Sequence, residues 1–179
     1  MLGVLFDERL SFNSHVNLTL NRMHRAIAIL YKVKNLLNFK WKYNLYNSFV
    51  LPYMNYCCLI WGSTSRTQLS RIFIAQKRAL KLIMGVPIRT STKEVFKATK
   101  AFSIEEIYKI HSQIFCYKFH KGLLPSDLGN VFSYHSQHAT RTTRQPTNNI
   151  HIENFRLSLT RRQFLSVGPN LWNNLPPEY

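Results

Sequence analysis

The spacing of apolar residues predicts a long helix that starts at Asn13 and Ser14. Its apolar positions recur at alternating intervals of four and three, which is typical of a helix packed lengthwise against a partner. Asn13 and Ser14 supply an N-cap for it. The apolar seam consists of Val16, Leu20, Met23, Ile27 and Leu30. The basic residues that fall off this seam are Arg22, Arg25 and Lys32.

A second helix is predicted from about Lys40 to Trp61, with a kink or break before Pro52, because proline removes a backbone hydrogen bond and clashes with the preceding turn.

A third helix, from about Gln68 to Met84, has its apolar and its basic residues on opposite faces. The apolar face carries Leu69, Ile72, Phe73, Ala79, Leu80, Ile83 and Met84. The opposite face carries Arg71, Lys77, Arg78 and Lys81. Gly85 and Pro87 end this helix.

Two capping-box spacings predict two more helix starts, at Ser91 with Glu94 and at Ser103 with Glu106. The later helix is expected to run to about Lys121 and to close at Gly122. Its predicted buried residues are Ile104, Ile107, Ile114 and Phe115.

The remaining segments predict less regular structure. Short strands are expected at residues 2–6 and 150–152, a polar loop at residues 134–151 and a single helical turn around Trp172. The predicted fold is therefore all-α, a helical bundle over residues 13–122. It is preceded by a short segment, residues 1–12, and followed by a loop-rich and mostly irregular extension, residues 123–179.

The net charge of the chain narrows the range of possible functions. The 179 residues include 24 Lys and Arg but 8 Asp and Glu, a formal net charge of +16. The mutual repulsion of these cations destabilises a compact fold. A polyanionic partner gives such a charge a use, because each phosphate that the protein neutralises releases counterions and so adds affinity. With 45% hydrophobic and 13% aromatic residues, the charge belongs to a folded domain and not to a basic tail. The favoured interpretation is nucleic-acid binding. The alternatives are an anionic lipid surface, or a piece of a longer chain whose acids lie elsewhere.

Three basic sets are candidates for phosphate contact. The first choice is Arg71, Lys77, Arg78 and Lys81, because few acids interleave with these cations. The second choice is Arg22, Arg25, Lys32 and Lys34. A third candidate pair, Arg141 and Arg144, stands among threonine hydroxyls in the polar loop. For the helices the alternative is a solvated surface face, and for the loop it is a flexible linker.

Other classes of site find little support. Three cysteines, an odd number with Cys57 and Cys58 adjacent, form no disulfide framework and favour a reducing compartment. The N-terminus lacks the features of a signal peptide, and the longest apolar stretch is too short and too interrupted to span a bilayer. We therefore expect an intracellular protein, nuclear or cytoplasmic, with no membrane partner. No zinc-ligand spacing and no cluster of carboxylates is visible, so no metal site and no catalytic residue is predicted.

Five stretches, in order, resemble the region after the polymerase palm in reverse transcriptases of non-LTR retrotransposons of the jockey type. The first runs from Leu2 to His15 and resembles the passage from palm into thumb. The others are Leu51-Pro-Tyr53 to Ile60-Trp-Gly62, Gln76 to Ile83, Thr140-Arg-Thr-Thr-Arg144, and Gly168-Pro-Asn-Leu-Trp-Asn-Asn-Leu-Pro176.

The resemblance implies a helical thumb that holds a template–primer duplex of RNA or RNA–DNA. The family's catalytic Asp-Asp motif, with its Mg²⁺, lies in the palm and is absent from this chain. We therefore expect a non-catalytic C-terminal fragment that needs no cofactor of its own, whose seam from Val16 to Leu30 is partly exposed without the missing palm and fingers. The alternatives are a chain active only when joined to its palm, a helical protein-interaction module, or a decayed element product.

Overall fold

The computed structural model describes residues 3–138 and 149–176, and over those residues the chain is all-α, with helices packed into a bundle and no strand. This confirms the predicted fold class. The chain divides into two compact units, Met1–Ile107 and Tyr108–Tyr179. None of the helices in the described residues is both long and apolar enough to cross a membrane.

The first helix, α1 (Asn13–Val33), begins where predicted but is capped differently. Phe12, not Asn13, is the N-cap residue, in a left-handed conformation and without a side-chain cap bond. The Asp7 carboxylate organises the preceding turn, accepting hydrogen bonds from the backbone amides of Ser11 (2.9 Å) and Phe12 (2.7 Å). These bonds lower the pKa of Asp7, since they favour its charged form. Residues 3–6, part of the predicted strand 2–6, form no strand, because no segment within residues 3–138 and 149–176 pairs with them.

The apolar seam of α1 is buried except at Ile27, so the expectation that it is partly exposed is wrong for its other four residues. Val16 and Met23 are fully buried, and Ile27 is half-buried. Helix α5 (Arg66–Met84) packs along α1, and so do α2 (Phe39–Phe49) and α3 (Leu51–Asn55). The seam thus finds its partners within this unit.

The predicted second helix is broken twice. A first break separates α2 from α3 at Val50, just ahead of Pro52, as expected for proline. The second, unpredicted break separates α3 from α4 (Cys58–Trp61) at Cys57, which adopts a left-handed conformation with φ of 48°. Trp61 is fully buried beyond it, and its indole N–H donates to the carbonyl of Tyr56 at 2.7 Å.

Helix α5 matches its prediction closely. It starts at Arg66, two residues before the predicted start, and Ser65 caps it by accepting from the amide of Gln68 at 3.4 Å. Gly85 ends it in the left-handed conformation, φ 68°, that glycine adopts without steric cost. Leu69, Ile72, Ala79, Leu80 and Ile83 are buried. Helix α6 (Thr92–Thr99) follows and packs on α5, but Ser91 makes no side-chain cap bond.

A buried amide joins three parts of this unit. Gln76, on α5, is fully buried; its Nε2 donates to the Tyr46 hydroxyl at 3.0 Å and to the Phe102 carbonyl at 2.7 Å. Its Oε1 accepts from the amide of Ile104 at 3.2 Å. Ile104 begins α7 (Ile104–His120), whose predicted capping box is confirmed by the paired bonds of Ser103 and Glu106. Gln76 therefore ties α2, α5 and the start of α7 together.

The second unit, residues 108–179, has its own core. Cys116, Phe132 and Ile150 are buried there, with Phe115, Phe119, Phe164 and Trp172 packed against them. Around Trp172 the predicted single turn is a full helix, α10 (Phe164–Asn173). It is preceded by a 3₁₀ turn (Ser126–Leu128) and the short helices α8 (His135–His138) and α9 (Ser158–Arg161). The predicted strand at 150–152 is a single antiparallel bridge between Tyr134 and Ile150.

Ile114 was predicted to be buried but is 46% exposed. The buried position on this stretch of α7 belongs instead to Ser112, whose hydroxyl donates to the carbonyl of Tyr108 at 2.8 Å. The apolar periodicity of α7 predicted burial of Ile114 because this residue is apolar. The close approach of another backbone favours a small residue, and Ser112 satisfies its own hydroxyl within the helix.

That close approach is made by Gly168 of α10. A Cβ at Gly168 would lie 2.8 Å from Cys116 Sγ and 3.3 Å from the Ser112 carbonyl oxygen. We expect Gly168→Ala to lower the free energy of unfolding by about 1–3 kcal/mol, because the two helices must separate to admit the methyl group. Urea unfolding followed by circular dichroism would measure the loss.

The matched control removes the atom that the new methyl group meets. Cys116→Ala alone should lower the free energy of unfolding slightly, because packing is lost. The double variant, Gly168→Ala with Cys116→Ala, should lose less free energy of unfolding than the sum of the two single losses. Strictly additive losses would contradict the steric explanation.

Candidate nucleic-acid interface

The basic face of α5 divides into two exposed and two half-buried cations. Arg71 and Arg78 are exposed, one above the other seven residues apart, and Arg71 Nη1 donates to Gln68 Oε1 at 2.7 Å. Lys77 is half-buried, with its Nζ 5.1 Å from the ring centroid of Phe73. Lys81, also half-buried, donates to the Ile88 carbonyl. Arg71 and Arg78 are therefore the α5 cations best placed for an external phosphate.

On α1 the predicted cations lie on the solvent side. Arg22, Arg25 and Lys32 are exposed, and the guanidinium carbon of Arg22 lies 5.8 Å from the ring centroid of Tyr53 on α3. Lys34 follows the end of α1, where its Nζ lies 4.0 Å from the Tyr31 ring centroid. Helix α1 thus presents three cations on one face and a fourth at its end. Arg141 and Arg144, the third candidate pair, lie outside the described residues.

Each basic stripe encloses an isoleucine that the sequence analysis did not single out. Ile29 is 48% exposed between Arg25 and Lys32, and Ile74 is 47% exposed between Arg71 and Arg78. Their spacings of three and four residues place them on the same helix faces as the cations. Both stripes are therefore mixed surfaces of cations around one apolar side chain.

The corner between α1 and α2 holds further cations and rings that sequence reasoning missed. Lys40 is exposed, and Lys42 Nζ donates to the Lys34 carbonyl at 3.3 Å. Phe39 and Trp41 are exposed beside them. The alternation of aromatic and basic residues from 39 to 43 was visible in the sequence. This alternation was not singled out as a candidate site, because the segment was expected to be an ordinary helix. Only the structure shows which of those rings reach solvent.

Buried titratable groups serve the core. His15 is buried with its ring centroid 5.6 Å from that of Trp61, and its Nδ1 lies 3.4 Å from the amide of Leu5. Burial, and to a lesser degree the charge of Arg22, lower the pKa of His15. Burial also raises the pKa of the Cys58 and Cys116 thiols to about 12, which makes them poor nucleophiles and metal ligands.

The described residues bring no three His, Cys, Asp or Glu side chains together as a metal site. Two acids have structural partners: Asp7 holds the turn before α1, and Glu106 caps α7. In the second unit an apolar cleft of about 340 Å³ lies between α7 and α10, and Ile114, Tyr117, Lys121 and Trp172 are among the residues that line it.

Comparison with known proteins points to one group. Over 87 residues, 47% of this chain, it is 32% identical to a probable RNA-directed DNA polymerase from transposon X-element of Drosophila melanogaster, of which it covers 10%. Over 149 residues, 80% of the chain, it is 24% identical to the RNA-directed DNA polymerase from mobile element jockey of the same fly, covering 16%. The corresponding jockey protein of Drosophila funebris is 28% identical over 97 residues, 52% of this chain and 11% of that protein.

No family model and no solved structure matches the chain. The chain spans about a tenth to a sixth of the length of these curated relatives. It is thus distantly and partially similar to the RNA-directed DNA polymerases of jockey-like non-LTR retrotransposons.

Proposed function

We propose that this chain is a non-catalytic C-terminal part of a non-LTR retrotransposon reverse transcriptase, which binds template–primer nucleic acid through phosphate contacts. The ligand is an RNA or RNA–DNA duplex. The contacts come from exposed cations on α1 and α5, led by Arg22, Arg25, Arg71 and Arg78. The palm and fingers of such a polymerase are the protein partners in this proposal.

One observation carries the proposal. Between Glu8 and Glu94 the sequence has fourteen Lys and Arg and no acidic residue, and this stretch contains helices α1 to α5. An ordinary solvated helix interleaves both signs of charge, because opposite charges three or four residues apart stabilise it. A folded bundle with cations alone repels itself, and a phosphate backbone removes that repulsion.

Catalysis is not assigned to this chain. Phosphoryl and nucleotidyl transfer require carboxylates clustered around two metal ions about 3.5–4 Å apart. Since the described residues supply no such group for Mg²⁺, we derive no chemical step from them. Primer extension is expected only when a palm is supplied. Extension by the purified chain with Mg²⁺, primer–template and deoxynucleotides would overturn this part of the proposal.

A salt titration tests the binding mode. If about six phosphates are neutralised, the logarithm of the association constant should fall with the logarithm of salt concentration at a slope near −5. Fluorescence anisotropy with a labelled RNA–DNA duplex measures this slope. A slope near zero, or affinity too weak to detect at low salt, would contradict phosphate contact.

The exposed Ile29 and Ile74 favour a second candidate, a helical module that binds a protein through these faces. Burial of an isoleucine at an interface is driven by the hydrophobic effect, which salt screening does not weaken. Salt-insensitive self-association in sedimentation, lost in the Ile29→Ser and Ile74→Ser variants, would support this candidate over the first.

A further inference from the structure

Three rings form a ladder along α2 that leads from the core to the surface. Tyr46, at the inner end, is 1% exposed and is hydrogen-bonded to Gln76. Tyr43 lies next to it, with ring centroids 6.0 Å apart and planes inclined by 23°. Phe39 follows at 5.7 Å and 19°, and it is 47% exposed. The ladder therefore ends in a ring that is held by its neighbours and open to solvent.

Lysines flank this open ring. Lys40 and Lys42 lie about 100° and 60° away from Phe39 around the helix, on opposite sides of it. Lys42 Nζ donates to the backbone carbonyl oxygen of Lys34, and Lys34 Nζ lies 4.0 Å from the Tyr31 ring centroid, so Lys40 is the cation of the three best placed for an external phosphate. The first turn of α2 carries no acid, although the helix dipole favours acids there. Lys40, in this first turn, thus gains nothing from the dipole of α2.

We propose that Phe39 is a stacking platform for an unpaired base of single-stranded nucleic acid, with the adjoining phosphate held by the exposed Lys40 in a positive field to which Lys34 and Lys42 contribute. The inference rests on the proposed function and extends it. The α1 and α5 faces contact a duplex through phosphate alone, whereas the α1–α2 corner (residues 31–43) recognises the single strand that continues from it.

The chemistry favours a base over a protein side chain at this position. Each base has a π-face, so an aromatic ring beside cations binds single strands of any sequence. Because the ladder already orders Phe39, stacking on it costs little side-chain entropy. A protein partner suited to the same corner would need acidic side chains to pair with these lysines.

The test compares a short labelled oligothymidylate with a blunt duplex in anisotropy titrations. Phe39→Ala should weaken oligothymidylate binding about 5- to 150-fold, which corresponds to about 1–3 kcal/mol, the usual effect of removing one stacking ring. Duplex affinity and both salt slopes should stay within about twofold, because no charge is removed. Phe39→Trp should restore the binding, since indole offers a larger ring.

Leu36→Ala is the matched control, since Leu36 is an exposed apolar residue of the same corner without a π-face. It should leave both affinities unchanged. If Phe39→Ala does not fold, Phe39→Leu keeps the packing on Tyr43 and should show the same selective loss.

Two outcomes separate the inference from the proposed function. Salt-dependent duplex binding together with unchanged oligothymidylate affinity in the Phe39 variants would overturn the stacking platform and leave the proposed function standing. A wild-type chain that binds neither probe would overturn both. Loss of self-association in Phe39→Ala, with unchanged oligothymidylate affinity, would make the ring a protein contact and also reject the platform.

Discussion

Replacing Arg22, Arg25, Arg71 and Arg78 together by Gln is expected to weaken duplex binding by at least about 100-fold near 0.1 M salt. Each phosphate contact contributes about 0.9 to the salt slope, so the slope should fall from near −5 to near −1.5 if all four contact phosphate. All four side chains are exposed, and glutamine is a good helix former, so folding should not suffer. Anisotropy titrations at several salt concentrations measure both quantities.

Net charge alone could produce part of this effect, because a less basic protein attracts any polyanion more weakly. The control is therefore a variant with the same loss of four charges elsewhere, with Lys93, Lys97, Lys100 and Lys109 replaced by Gln. These lysines are exposed and lie outside the proposed interface. Equal losses in the two variants would show that the cations act by total charge and not by position, and would reject the assigned interface.

Gln76→Leu is expected to lower the free energy of unfolding by about 2–5 kcal/mol. Leucine fits the volume but leaves the Phe102 carbonyl and the Ile104 amide without the partners that Gln76 supplies at 2.7 and 3.2 Å. A buried polar group left unsatisfied costs about 1–3 kcal/mol, which applies to the buried Ile104 amide, and the loss of the part-buried bond to the Phe102 carbonyl adds to it. Urea unfolding followed by circular dichroism measures the change.

Tyr46→Phe isolates the third bond of Gln76. It removes only the hydroxyl that accepts from Nε2 at 3.0 Å, and we expect a loss of about 1 kcal/mol. Burial raises the pKa of Tyr46 to about 12, so this hydroxyl is neutral throughout the working range. When Tyr46→Phe is added to Gln76→Leu, it should lower the free energy of unfolding little further, because the hydrogen-bond partner of the hydroxyl is already absent. Full additivity would show that the two side chains act independently.

Gln76 illustrates how a residue in a family-like motif can have a structural explanation. It stands at the head of the stretch from Gln76 to Ile83 that resembles a reverse-transcriptase helix. An exposed role in binding is excluded by its complete burial. His15 and Gly168, from two other such stretches, are likewise buried against Trp61 and Cys116 respectively. Packing thus accounts for three of the positions on which the resemblance depends.

Local signals in the sequence determined the helical class, the span of α5 and the capping box at Ser103 and Glu106. Each of these depends on neighbours within one or two turns, and periodicity and cap chemistry report such neighbours directly. The excess of cations was equally plain. The cations are concentrated between Glu8 and Glu94, so the sequence alone locates the basic region in the first unit.

Only the tertiary structure decided which side chains face solvent where the contacts are distant in sequence. Burial of the seam of α1 depends on α5, more than thirty residues away, and the left-handed break at Cys57 allows Trp61 to enter the core. The close contact with Gly168 gave the buried position on α7 to Ser112 and left Ile114 exposed. The exposure of Phe39 likewise follows from how α2 packs, because a periodic pattern defines the faces of a helix but not what covers each of them.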